Sequence, residues 1–314
     1  MLSKFLDPKN DFAFRRIFGS ERNKDILIHF LNDMITFKES SPIVDVTFLK
    51  TNQDPEIASQ KTSIVDILCK DTKGNQYIVE MQVAKEKGFT KRAQYYAAKA
   101  YVGQAAIGGE YHNLKEIIFL AISDFIMFPN KDSFKSDHVI LDRNSHENDL
   151  KDFSFTFLEL PKFNQTIDEL DNITSKWMYF LKHADDTSES QSAQIIGGDP
   201  IIERAYQELN RFSWNEEELR TYDQTEKYEG SYLASMAQKF DEGMEKGKAE
   251  GKAEGKAEGK AEGKAEGKAE GEQIGIEKEK IEIAKTMLQK SMDAQTIAEI
   301  TGLLIEEIES LKTT

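Results

Sequence analysis

Asp66, Glu80 and Gln82 are the side chains whose types and spacing point most directly to chemistry. The segment reads Ser63-Ile-Val-Asp-Ile-Leu-Cys69, a turn Asp71-Thr-Lys-Gly-Asn75, then Gln76-Tyr-Ile-Val-Glu-Met-Gln-Val83. Two runs of β-forming residues flank a glycine-bearing turn, which predicts a hairpin with the three-residue loop Thr72-Lys73-Gly74. In that register Asp71 faces Asn75 and Asp66 faces Glu80. Strand side chains alternate, so Ile64, Asp66, Leu68, Ile78, Glu80 and Gln82 are expected on one face. Val65, Ile67, Cys69, Tyr77, Val79, Met81 and Val83 are expected on the other. Both faces are mostly apolar, as in a sheet covered on both sides. Opposed carboxylates with Cβ atoms about 5 Å apart repel and, half buried, need a cation, a shared proton or a nearby base. A hard divalent ion such as Mg²⁺ takes oxygen ligands of this kind. The alternative is a different loop register that leaves one carboxylate in solvent.

The elements that must hold this hairpin follow from the apolar periodicity. Residues 9–36 predict two short helices, with Ser20 able to cap the second. Residues 43–49 predict an edge strand, 51–61 a loop, 90–106 a helix and 115–123 a central strand. Further strands are expected at 138–141 and 153–160, and a helix at 167–183. The result is an α/β fold with a mixed sheet flanked by helices. On the 90–106 helix Arg92 and Tyr96 lie one turn apart, with Lys91, Tyr95 and Lys99 on an adjacent strip. That face suits contacts to phosphates or, equally, cationic side chains laid around a packed tyrosine. Asp11 is either a third acid or an ordinary first-turn acid. Glu159 and Lys162 read as residues that fix a turn.

The chain has 314 residues, enough for one sizeable core and appendages. Its single cysteine, Cys69, lies on an apolar strand and reads as a core thiol; one cysteine allows neither a disulfide framework nor a zinc cluster. No run is long and apolar enough to span a membrane, and the first residues lack a signal-peptide pattern, so a cytoplasmic protein is expected. The net charge is −15. Residues 1–183 hold 24 Lys and Arg against 26 Asp and Glu, whereas residues 184–314 hold 17 against 30. The body is near neutral and can carry a local basic strip for DNA; the acidic tail repels it.

Residues 187–198 read as a Ser/Gln/Gly-rich linker, and 201–242 as amphipathic helices anchored by Trp214 and tyrosines. Six copies of Gly-Lys-Ala-Glu then run from Gly247 to Glu270. A period of four precesses around a helix, so no residue type keeps one face and a heptad coiled coil is excluded. Glycine in every copy weakens the helix, which predicts a solvated helix or tether. Residues 281–292 and 294–311 predict a small helical hairpin resembling a helix-turn-helix. Glu306, Glu307 and Glu309 suit self-association better than base reading.

The arrangement of an Asp, about a dozen residues with a turn, and Glu-x-Gln on the next strand resembles the PD-(D/E)XK nuclease core. More closely, the chain resembles the Rpn family of recombination-promoting nucleases and transposases. Asp11-Phe-Ala-Phe-Arg-Arg-Ile-Phe-Gly19 and Asp25-Ile-Leu-Ile-His-Phe-Leu-Asn32 look like its opening helices, and Ile78-Val-Glu-Met-Gln82 like its catalytic strand. Arg92-Ala-Gln-Tyr-Tyr96, Gly109-Glu-Tyr111, Phe157-Leu-Glu-Leu-Pro-Lys-Phe163 and Ile300-Thr-Gly-Leu303 follow in family order. The resemblance implies a restriction-endonuclease-like core over residues 1–183. Linker and helices would follow over 184–242, the repeat tether over 243–275, and a C-terminal helical hairpin over 276–314.

It also implies a Mg²⁺-dependent endonuclease (Mn²⁺ substituting) acting on double-stranded DNA, in recombination or mobile-element biology. Asp66, Glu80 and the Met81 main-chain carbonyl would be the metal ligands. Gln82 stands where the superfamily has lysine and can only hydrogen-bond; Lys85, Lys87, Lys91 or Arg92 could replace the charge. Arg92, Lys91 and Tyr96 would contact substrate. The alternative is a nuclease fold kept as a binding module that forms homo-oligomers through its C-terminal helices.

Overall fold

The computed structural model describes residues 3–37, 42–53, 63–105 and 109–312. Helix α1 (Asp11–Phe18) starts at Asn10, whose side chain accepts the amides of Phe12 and Ala13. Its buried face, Ala13, Phe14, Ile17 and Phe18, recurs at helical spacing. Ser20 does not cap the next α-helix. It precedes a 3₁₀ turn, Glu21–Asn23, and its hydroxyl turns back to the Arg16 carbonyl at 2.8 Å. Helix α2 (Lys24–Met34) then buries Ile26, Leu27, Phe30, Leu31 and Met34.

A six-stranded sheet is the centre of the fold. Its strands are β1 (Val46–Phe48), β4 (Ile67–Asp71), β5 (Gln76–Gln82), β6 (Ile117–Ser123), β7 (Lys135–Val139) and β8 (Phe153–Glu159), in the spatial order β1-β4-β5-β6-β8-β7. The short strands β2 (Asn52–Gln53) and β3 (Ser63–Ile64) pair separately. β5, β6 and β8 run parallel, while β1, β4 and β7 are antiparallel to their neighbours. β6 is buried at every position, as a central strand covered on both faces must be. Helix α3 (Phe89–Val102) connects β5 to β6 and packs Phe89, Ala93, Ala97 and Ala100 against Leu68, Ile78, Ile117, Phe119 and Ala121. Alanines at that spacing bring the helix close to the sheet. The opposite face holds the larger core, built from α1, α2, α4 (Ile173–His183) and α6 (Pro200–Leu209) around Ile67, Val79, Leu120 and Ile122.

Several boundaries move from those expected. The helix expected over 90–106 spans Phe89–Val102, and residues 106–108 lie outside the described residues. Most of the 51–61 loop does too, apart from β2. The strand expected at 138–141 is Lys135–Val139. In 167–183 a 3₁₀ turn closed by a Thr166/Glu169 capping box precedes α4, which starts only after the Asn172 cap. The Ser-rich stretch read as a linker contains helix α5 (Glu189–Ile196), because Ser188 and Gln191 form a capping box and Ser192 and Ile195 are buried.

The first compact unit extends to Leu233, well past the expected end at 183. Backbone ties fix this: the Leu6 amide donates to the Leu209 carbonyl at 3.0 Å and the Arg211 amide to the Lys4 carbonyl at 2.9 Å. Helix α7 (Glu216–Gln289) begins in this unit, where Tyr222 is buried and its carbonyl accepts from Asn10 Nδ2 at 3.4 Å.

The second unit covers residues 234–314. Its part of α7 contains the Gly-Lys-Ala-Glu copies, helical and exposed throughout. The end of α7, helix α8 (Ala294–Thr301) and helix α9 (Ile305–Ser310) enclose a small core of Ala284, Ile297 and Ile308. The expected second arm of the hairpin is broken at Gly302, whose φ of 70° ends α8.

Candidate active site

The hairpin folds in the register that places Asp66 opposite Glu80: Ile67 pairs with Val79, Leu68 with Ile78 and Cys69 with Tyr77. Gly74, at φ 93°, supplies the left-handed residue that closes the loop, and the Asp71 amide donates to Asn75 at 3.0 Å. The regular strand begins only at Ile67, however. Val65 is buried with Leu68 and Ile78 on the α3 side, not with Ile67 as alternation predicts. That break turns the Asp66 side chain along the neighbouring backbone.

Each acid is held by an amide of the other strand. The Asp66 N–H donates to Glu80 Oε1 at 3.2 Å, and the Met81 N–H donates to Asp66 Oδ2 at 2.9 Å. Arg15 bridges two acids, with Nη2 3.1 Å from Asp66 Oδ1 and Nε 3.0 Å from Asp11 Oδ1. Asp11 is thus a first-turn acid that reaches the site through Arg15. Gln82 Nε2 donates to the Met81 carbonyl at 3.0 Å and approaches Glu80 Oε2 at 3.4 Å. Its Oε1 accepts from Arg92 Nη2 at 2.5 Å. The Arg92 guanidinium also pairs with Glu86 and lies 4.9 Å from the Phe89 ring and 5.9 Å from that of Tyr96.

Arg92 and Tyr96 therefore join the acids, whereas Lys91 is exposed on the same helix, and Lys85 and Lys87 are exposed before it. Sequence reasoning missed Arg15, although its place four residues after Asp11 was a usable signal. It also missed Glu86, and Tyr232 on α7, which donates to Glu86 at 3.1 Å. Nothing local marks Tyr232, 146 residues away from Glu86.

Glu80 is only 3 % exposed. Burial raises its carboxyl pKa well above the usual carboxylate range, the Asp66 charge raises it further, and Arg92 and Arg15 pull it back. Burial likewise raises Asp66; the Met81 amide opposes that shift, Asp11 adds to it and Arg15 offsets it. By contrast, the Cys69 thiol is pushed up to about 12 by burial, which suits an inert core thiol.

The acids lie at the carboxyl end of the parallel strands, where Gln82, Ser123 and Glu159 stand in register. Glu159 is fully buried and accepts from the Met127 and Phe128 amides at 2.5 and 3.0 Å. Lys162 Nζ contacts Glu159 at 2.7 Å and the Phe128 carbonyl at 2.8 Å. This pair pins the turn after β6.

The buried Glu80 and half-buried Asp66 carboxyls, both with raised pKa values and only partly offset by Arg15 and Arg92, form an oxygen donor set beside a main-chain carbonyl, and these residues fit a hard divalent ion. Among the described residues no group of three or more His, Cys, Asp or Glu side chains could hold a metal. The fit rests on two acids and the Met81 carbonyl.

A mixed six-stranded sheet with helices on both faces is the architecture of a PD-(D/E)XK nuclease fold. The model for the PD-(D/E)XK nuclease family transposases matches residues 8–237. A second match, the C-terminal HTH domain of the Rpn/YhgA-like nuclease family, covers residues 277–313. The chain therefore belongs to the Rpn-type PD-(D/E)XK nuclease family transposases. Comparison with curated proteins and with solved structures gives no match. No described helix is long and apolar enough to cross a membrane.

Proposed function

We propose that the chain is a metal-dependent endonuclease that hydrolyses phosphodiester bonds of double-stranded DNA, in recombination or the movement of mobile elements. The observation that carries this is the Asp66–Glu80 pair: two opposed carboxyls, one buried and one half-buried, each held by a main-chain amide and costly to ionise together. Asp66, Glu80 and the Met81 carbonyl would hold Mg²⁺, or Mn²⁺ in its place. Such an ion supplies activation of water and polarisation of the scissile phosphate. Gln82 orients the attacking water with its amide. Arg92 carries the charge that the superfamily's lysine provides, because its guanidinium already touches Gln82. Arg92 and Tyr96 face the phosphate, with Lys91 adding a backbone contact from the same helix.

Calorimetric titration with Mg²⁺ and Mn²⁺ tests the site. The parent binds, Asp66→Ala and Glu80→Ala do not; equal binding by all three contradicts the assignment.

For the C-terminal unit, the HTH match supports a second contact to DNA, and its surface motivates self-association as the rival reading. α9 exposes Glu306, Glu307 and Glu309, and Ile300, Leu304 and Ile305 are exposed on the same small unit. An acidic helix suits a major groove poorly, and exposed apolar residues suit a second copy. On this reading the nuclease unit contacts DNA and the C-terminal helices assemble homo-oligomers. Sedimentation of the full chain against Leu304→Glu/Ile305→Glu decides it: the variant dissociates, or the parent is already a monomer and the reading fails.

A further inference from the structure

We infer that Tyr232 is a positioning residue for Arg92 and acts through Glu86. The catalytic part of this inference rests on the nuclease reading; the holding of the guanidinium rests on geometry alone.

A continuous chain of hydrogen bonds runs from α7 to the acids. Tyr232 Oη donates to Glu86 Oε1 at 3.1 Å, and the other Glu86 oxygen takes Arg92 Nη1. Arg92 Nη2 donates to Gln82 Oε1, and Gln82 Nε2 donates to the Met81 carbonyl at 3.0 Å. Arg92 Nε is buried without a hydrogen-bond partner. The plane of the guanidinium is therefore fixed by Glu86 and Gln82 at its two Nη atoms and by the rings of Phe89 and Tyr96. Without Glu86 one of the two polar anchors is lost.

Glu86 needs an anchor of its own. It lies in the connection between β5 and α3, outside any strand ladder, where Gly88 takes a φ of 89°. Such connections are the mobile parts of a fold. Tyr232 supplies the anchor from a rigid element. The first turns of α7 are docked at two further points on the same helix face: the Tyr222 hydroxyl accepts the Asp7 amide at 3.1 Å, and Glu229 Oε1 accepts the Asp11 amide at 3.2 Å. Positions 222, 229 and 232 recur at helical spacing. One face of α7 thus contacts both the start of α1 and the loop that carries Glu86.

The Tyr232–Glu86 contact is partly exposed, with Tyr232 at 38 %. A hydrogen bond to a charged group in that setting changes a rate by about three- to tenfold. The test uses the full-length chain, with Tyr232→Phe, Glu86→Ala, the double variant and Tyr228→Phe as control, since Tyr228 is 74 % exposed on the same helix. One readout is the Arg92 Nε–Hε resonance, assigned by its loss in Arg92→Lys. The other is plasmid nicking, separated into kcat and KM.

Tyr232→Phe should move the Arg92 resonance towards that of free arginine and lower kcat about three- to tenfold, with KM changed by less than about twofold. It should add nothing in the Glu86→Ala background, and Tyr228→Phe should match the parent in both readouts. An Arg92 resonance unmoved by Tyr232→Phe overturns the inference, as does an equal kcat loss with and without Glu86. A parent that does not nick DNA defeats the nuclease reading, and the resonance alone then decides the positioning.

Discussion

Asp66 and Glu80 are each held by a main-chain amide from the other's strand: Asp66 N–H donates to Glu80 at 3.2 Å, and the Met81 N–H donates to Asp66 at 2.9 Å. Two acids can thus face each other in a folded chain, since each has a donor that needs no metal. The amides fix position but bring no net charge, so the pair stays electrostatically costly when ionised.

That cost predicts a stability gain on neutralising Glu80. Its folded pKa is raised, so its contribution to stability is complete below the ordinary value of 4.5 and is lost as pH rises through the folded value. In EDTA at pH 8, Glu80→Gln should be more stable than the parent by on the order of 1–2 kcal/mol. The gap should close as the pH falls towards 4.5. Saturating Mg²⁺ should narrow it by stabilising only the parent. Thermal melts read all three arms, and a variant less stable than the parent at pH 8 in EDTA contradicts the account.

Asp7 gives a pH signature remote from the acids. Burial raises its pKa from 3.8 to about 6, aided by Asp185 and opposed by Lys9. Its stabilising share is therefore complete below 3.8 and lost through about 6. The Asp7 side chain is 30 % exposed, which dilutes the effect. Asp7→Asn should gain on the order of 1 kcal/mol over the parent at pH 7.5 and nothing near pH 3.5. Urea midpoints across that range are the check; a gap that does not change with pH removes Asp7 as the source.

Glu159 and Lys162 predict the opposite behaviour. Their side chains are 0 % and 8 % exposed, and every polar end is occupied. Lys162→Met leaves a buried carboxylate without its cation and should cost about 3–5 kcal/mol. Urea unfolding measures it, and a loss under about 1 kcal/mol would show that the pair does not pin the turn.

The repeat segment should tolerate change. At all six repeat glycines, from Gly247 to Gly267, an added Cβ meets nothing within 4 Å. Replacing the six with alanine favours helix by about 1 kcal/mol at each position. Far-UV circular dichroism should show more helix surviving at high temperature, with plasmid nicking unchanged. A loss of nicking would reveal a role for glycine that its open surroundings do not suggest.

The hairpin register was legible because Gly74 and the alternating apolar residues point to the same turn. The central strand β6 was legible from its unbroken apolar run. The break at Val65 was not, because it accompanies a tertiary contact, the Met81 amide donating to the Asp66 carboxylate, that strand alternation does not encode. Helix α5 was hidden by composition: serine and glutamine suggest a linker until Ser188 and Gln191 are seen as a capping box. The extent of the first unit was hidden for another reason. Residues 4–6 and 209–211 meet through backbone bonds, which carry no side-chain signal. Tyr232 belongs to the site only through a tertiary contact, and Arg15, though placed one turn after Asp11, reaches Asp66 through another.

Cleavage of supercoiled plasmid by the full chain in Mg²⁺ tests the central claim most directly, run beside Asp66→Ala, Glu80→Ala and an EDTA control. The account predicts nicking by the parent that requires the metal and is lost in both variants. Nicking that persists in Asp66→Ala at the parent's rate, or a parent that leaves the plasmid intact in both Mg²⁺ and Mn²⁺, contradicts it.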